Sequence, residues 1–442
     1  MFVRRPGVIA GNGDGSVACD HYSRWQEDVG WLSKLGVNAY RLSVSWPRIL
    51  PEGTGRVEPR GLDFYDRLID ELLAKSIEPW ISLFHWDYPL SLFHRGGWLN
   101  RDSARWFADY AEIVTRRFSD RVTRFITYNE PQVFISEGHH SGRHAPGLQL
   151  PWKEVLLAAH HALLGHGLAV TAIRANAVKT PSVGFAPAGP VCLPATNSAL
   201  DVAIAYAESC SLTHQTLWNM AFWLDPVILG HYPHNSSEVF GSAAPNPAPG
   251  DLELISQPLD FLGLNLYWGP RVDAKNRGAQ AIWSYPVDFP RNAFGWAITP
   301  EIMHWGPRFM AKRYRLPIVV TENGTSCLDS IATDGHIHDG SRVDFITRHV
   351  AMLRSAMNAG VDIFGYFHWT LLDNFEWADG YKQRFGLIYT DFATCTRTPK
   401  DSFHHYSNVI AEKGANVLAH QAGIVEPDGW ERDEEVLQFF GR

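Results

Sequence analysis

Two glutamates set the terms for what this chain can fold into. Within RFITY (124–128) the chain runs apolar and β-branched or aromatic through Phe125, Ile126, Thr127 and Tyr128, and the run halts at Asn129-Glu130-Pro131. Such a run reads as a buried strand. Far downstream, residues 317–324 (PIVVTENG) repeat the arrangement, with Ile318, Val319 and Val320 leading to Thr321-Glu322-Asn323-Gly324. Only a closed fold brings two such distant tips together. A carboxylate at the C-terminal tip of a parallel strand sits where a (β/α)8 barrel keeps its chemistry. Two carboxylates facing each other across a sugar are the minimum machinery of glycoside hydrolysis. One glutamate at a strand end is ordinarily a solvated loop residue. Two of them, each beside an asparagine and behind an apolar run, argue for a shared site.

The text between these tips alternates in period. Strand-like runs are expected at 37–44, 78–84, 124–128, 182–186, 259–264, 317–321 and 362–368. Helical periodicity is expected at 25–35, 61–75, 102–118, 152–174, 200–221, 299–313 and 341–359, with one more helix from Phe403 onward. Strands alternating with helices mean parallel βαβ units, so the class is α/β and the architecture a (β/α)8 TIM barrel of which seven strands are visible. No linker or internal repeat divides the chain, which predicts a single catalytic domain over 1–442 with an atypical C-terminal tail from about Gly414. Polar groups follow the strands: Arg41, His85, Asn129 and Glu130, Asn265 and Tyr267, Glu322, Trp369. In a parallel barrel those positions share one rim.

Composition narrows the partners. A net charge of −8 argues against nucleic acid or an anionic membrane surface. No run of 18 apolar residues indicates a membrane span, and the start MFVRRPGVIAGNG lacks the apolar region of a secretory signal. Five scattered cysteines without a CxxC pair predict reduced thiols and a cytoplasmic protein. The histidine pairs 139/140, 160/161 and 404/405 lack metal-ligand spacing, so neither metal nor cofactor is implied. Seventeen tryptophans are unusual, and aromatic faces stack well on sugars, although most of these rings are expected in the core.

Several motifs are long enough to carry a resemblance. TYNEP (127–131), VVTENG (319–324), FHWDYP (84–89), YRLSVSWPRILP (40–51) and HWTLLDNFEWADGYKQRFGLIYTDF (368–392) closely resemble glycoside hydrolase family 1, which contains β-glucosidases and β-galactosidases. The resemblance covers the chain from about Phe2 to Ile410. It implies a retaining β-glycosidase acting on terminal β-D-glucosyl residues of a small β-glucoside or oligosaccharide. Glu130 is then the general acid/base and Glu322 the nucleophile. Arg41, Tyr267 and Asn265 fall at positions that hold the nucleophile, and Asn129 at one that meets the sugar 2-OH. His85, Trp369, Glu376 and Trp377 match the glycone pocket, and Trp296 matches a tryptophan that touches the aglycone. A carboxylate at 376 repels a phosphate dianion, so unphosphorylated sugars are expected.

The opening departs from the family pattern. Members begin with a strand reading roughly FxWGxATxxxQxEG, which resemblance places ahead of Phe2, so the first strand is expected to be missing here. The alternative reading is therefore an inactive or weakly active truncated relative that at most binds sugar. The C-terminal tail, with short apolar runs at 415–422 and 423–427, is a candidate to fill the gap.

Overall fold

The computed structural model describes residues 2–277, 285–420, 424, 426, 427, 429 and 430. Seven strands form one parallel sheet, and their spatial order follows the chain: β1 Ala39–Ser43, β2 Glu78–Phe84, β3 Arg124–Asn129, β4 Ser182–Ala186, β5 Phe261–Asn265, β6 Ile318–Asn323 and β7 Ile363–His368. Parallel neighbours need long crossovers. Here α2 Pro59–Ala74, α3 Ser103–Phe118, α4 Trp152–Asn176, α5 Ala199–Ser209, α6 Ile302–Tyr314 and α7 Gly340–Asn358 supply them in turn, with α1 His21–Leu35 before β1 and α8 Asp401–Ala411 after β7. This is the TIM-barrel fold.

Sequence explains the helices locally. In α2 the Glu58 carboxylate accepts from the Arg60 amide, Pro59 occupies the first turn, and Phe64, Tyr65, Leu68, Ile69 and Leu72 form a buried stripe. The strands alternate in the same spirit. Ile81, Phe125, Ile318 and Val320 join the large cluster under the helices, whereas Trp80, Ile126, Ala186, Phe261 and Val319 form a separate plug. Trp80 and Phe261 meet edge-on at 5.4 Å, and the Phe261 ring lies 2.2 Å from where a Cβ on Gly184 would stand. Only glycine admits that ring. With the plug in place, the cavity that holds the carboxylates lies toward the opposite ends of the strands.

The expected helix over 200–221 breaks in two. Ser209 and Ser211 turn their hydroxyls back onto the carbonyls of Ala205 and Ala207, and Asn219 caps a new short helix, Met220–Leu224, by accepting from the Phe222 amide. Such side-chain bonds compete with helix continuation. The intervening loop instead carries Thr213, His214, Thr216 and Trp218 to the active-site cavity.

The two edge strands, β1 and β7, do not pair with each other among the described residues. A second cavity of about 290 Å³ lies between them, lined by residues of both edges. Three of its side chains carry a buried polar atom without a hydrogen-bond partner among the described residues: Arg41 Nε, Ser82 Oγ and His368 Nε2. The C-terminal tail does not fill this seam where it is described. The Glu426 carboxylate accepts from Arg308 Nε at 3.0 Å, and the Trp430 ring packs on Phe309 and Trp305 of α6, so these residues dock on the outer helical layer.

The ends of the chain are tied by a buried ion pair. Arg397 donates from Nε and Nη2 to the two carboxylate oxygens of Asp28 in α1, at 2.9 and 3.1 Å, with both side chains fully buried. Arg397→Met leaves Asp28 with only the His21 imidazole at 2.8 Å. The expected loss is about 3–5 kcal/mol. For a chain of this length that corresponds to a fall in Tm of roughly 4 °C by calorimetry. An unchanged Tm would deny this pair its structural role.

Candidate active site

Tight local geometry delivers each carboxylate. At the end of β3, Asn129 pairs with Ala186 of β4 after a register shift, and the Glu130 amide donates to the Ala186 carbonyl at 2.8 Å. Glu130 adopts φ +46°, a left-handed conformation uncommon for a side chain of this size. At the end of β6 another shift places Glu322 opposite Asn265 of β5. Irregularities of this kind re-aim side chains near active sites. Gly324 follows because a Cβ there would stand 1.9 Å from the Trp369 carbonyl oxygen.

Both glutamates line one cavity of about 430 Å³. Arg41 Nη1 donates to Glu322 Oε1 at 2.7 Å, and the Tyr267 hydroxyl donates to Oε2 at 2.8 Å. Burial and the neighbouring Glu322 charge push the Tyr267 phenol well above its ordinary value, which keeps it a donor. Glu130 has a different setting. Burial, and then the charge of Glu322, push its carboxyl well above the usual range, against one opposing hydrogen bond from Asn265 Nδ2 at 2.7 Å.

Asn265 was expected beside the nucleophile, and the structure corrects that. Its amide reaches Glu130 and, at 3.0 Å, Asn129 Oδ1, while Thr321 Oγ1 donates to its own Oδ1 at 2.7 Å. Its side chain therefore bridges β3 and β6. Asn129 is also not on the cavity wall. It is fully buried, its Oδ1 accepts from Arg41 and Asn265, and its Nδ2 lies 3.3 Å from His85 Nε2. Arg41 reaches the pair from the seam side.

The other expected residues line the cavity together: His85, Tyr267, Trp296, Trp369, Glu376 and Trp377. His85 stacks on Trp369 at 5.7 Å and on Trp377 at 6.3 Å, and burial lowers its pKa to about 3, so the ring is neutral. Trp296 stacks on Phe294 at 4.4 Å. Burial together with the Glu322 charge pushes Glu376 up to about 8. Sequence reasoning missed Trp86, whose indole donates to the Asn129 carbonyl at 3.0 Å from a backbone with φ +84°. Its place inside FHWDYP was the available signal. It also missed Glu137, in the helical turn Val133–His140, and Arg143 and Trp218, which come from loops without a motif.

Known proteins share this arrangement of chain. The sequence profile of glycosyl hydrolase family 1 matches residues 1–415. The chain belongs to that family. Among its relatives, β-glucosidase A of Thermotoga maritima is 41% identical over 414 residues, spanning 93% of this chain and 91% of that protein. A β-glucosidase of an Agrobacterium species is 39% identical over 415 residues, spanning 92% and 87%. The family 1 β-glucosidase from Thermotoga maritima in complex with glucoimidazole superposes with a TM-score of 0.85 at 40% identity, covering 93% of this chain and 92% of that one.

The Glu130 setting makes a pH prediction. An acid with a raised pKa holds its proton into higher pH, and its acid form is lost as pH rises through that value. The Asn265 amide favours the charged form, so Asn265→Ala removes the one hydrogen bond that opposes the shift. The alkaline limb of kcat/KM for glycoside turnover is expected to move to higher pH. A limb that stays put or moves down would show that Asn265 does not tune this carboxyl.

Proposed function

We propose that the chain is a retaining β-glucosidase that cleaves terminal non-reducing β-D-glucosyl residues by double displacement. The observation that carries this reading is the pair of opposed settings within one cavity: Glu322 held by a cation and a phenol, Glu130 raised by burial and by Glu322 itself. Glu130 donates its proton to the glycosidic oxygen while Glu322 attacks the anomeric carbon, giving a covalent glycosyl-enzyme. Esterification removes the Glu322 charge, so the proton affinity of Glu130 falls and it accepts a proton from the incoming water. That water displaces Glu322 and restores the β configuration.

The neutral His85, the indoles of Trp369 and Trp377, and Glu376 then bind the glucosyl group, with Trp369 as stacking floor. Sugar hydroxyls that donate to Glu376 favour its charged form and draw its pKa back down. Asn129 meets the 2-OH only if its amide turns from His85 as substrate enters. Galactosides and fucosides fit as side substrates, and five free cysteines among the described residues support a reducing, cytoplasmic setting. Sugar binding without turnover has no observation in its favour.

Release of nitrophenol from an aryl β-glucoside by the purified chain tests the reading. Glu322→Ala is expected to lower kcat by roughly a thousandfold or more. Proton NMR of early product should reveal β-glucose before mutarotation. First-formed α-glucose would overturn the retaining mechanism, and a folded chain without turnover would overturn the activity.

A further inference from the structure

The active-site cavity extends well beyond the two glutamates, and its outer half is charged. The segment Val133–His140 follows Glu130-Pro131 directly as a widened helical turn, which ties Glu137 geometrically to the site. Irregular turns of this type concentrate at functional sites. Glu137 Oε1 accepts from the Trp218 indole at 3.2 Å, and Oε2 accepts from Ser141 Oγ at 2.7 Å. Both donors are neutral. The first bond fixes an indole that is 37% exposed and lines the cavity, which the stacked Trp296 and Phe294 also line.

Among the described residues, Arg143, His144 and His214 of this half do not cancel Glu137. The Arg143 guanidinium is engaged by Asp379, Nη2 to Oδ2 at 2.5 Å. Burial lowers His144 to about 4 and also lowers His214, so both rings are neutral near pH 7. The result is a space with flat aromatic surfaces and negative charge.

We propose that Glu137, held by Trp218 and Ser141, makes the aglycone side of this cavity a subsite that disfavours carboxylate- and phosphate-bearing groups and accepts neutral or positively charged ones. The inference rests on the β-glucosidase reading and names the substrate class of that site. A like charge in a partly desolvated pocket repels an anion and attracts a cation, whereas an amide of the same shape does neither.

The test compares three aryl β-glucosides whose phenol carries, beyond a methylene spacer, a neutral, a carboxylate or a trimethylammonium group, so that leaving-group acidity is similar. The readout is the ratio of kcat/KM for the cationic over the anionic substrate, in the wild-type chain and in Glu137→Gln. The ratio is expected to be about tenfold in the wild type at low salt and to fall about fivefold in the variant. Because it is a ratio, any general loss of activity in the variant cancels. In the wild type alone it should also shrink severalfold at high ionic strength, a measurement that needs no variant to fold. A wild-type ratio near one, or an equal ratio in Glu137→Gln, overturns the subsite while the neutral substrate is still cleaved. Failure to cleave the neutral substrate overturns the β-glucosidase reading and the subsite with it.

Discussion

The Arg41 guanidinium is the contact on which the rest of the site depends. It comes from β1, at the edge of the sheet, and reaches Glu322 on β6 and Asn129 on β3, so one side chain joins three strands. Its side chain is 7% exposed and that of Glu322 is 4% exposed. Desolving both charges is costly, and only close pairing with further hydrogen bonds offsets it. Those further bonds are present: Tyr267 to Glu322, Asn265 to Asn129, and Trp86 to the Asn129 carbonyl. A polar centre of this kind requires the surrounding backbone to be rigid, because a buried charge that loses its partner is strongly destabilising.

Rigidity comes partly from a second buried network beneath the loops. Lys400 Nζ donates to Asp329 and Asp373, Arg342 joins Asp329 and Asp339, and Arg384 pairs with Asp373. Three carboxylates meet three cations, so the group is neutral as a whole. It ties the loop after Glu322 to the stretch that carries Trp369, Glu376 and Trp377, and ties both to the start of α8. Like-charge crowding near the glutamates is therefore tolerated: the loops cannot relax away from it without breaking these pairs. Burial first, and then the same crowding, raises Glu130 and Glu376.

Much of this was legible in the residues. β2 and β4 appear with the expected bounds, because a short apolar run between turn residues has few other ways to bury itself. Glu130, Glu322, His85, Tyr267, Trp296, Trp369, Glu376 and Trp377 all reach one cavity, since groups after parallel strands share a rim. The helix over 200–221 was misjudged because its apolar periodicity continues through Ser209, and only side-chain bonds to the backbone end it. That the Asn265 amide reaches Glu130 rather than the Glu322 carboxylate rests on contacts between strands that composition does not show.

What the sequence determined by itself was the order of strands and helices, the two carboxylates and the motifs that assign the family. These follow from local period and from residue identity at strand ends. Which carboxylate Asn265 touches, how Glu137 and Trp218 meet in the outer cavity, and where the tail docks were decided only in three dimensions. Each depends on the distance between loops remote in sequence, and no local preference of the chain encodes that distance.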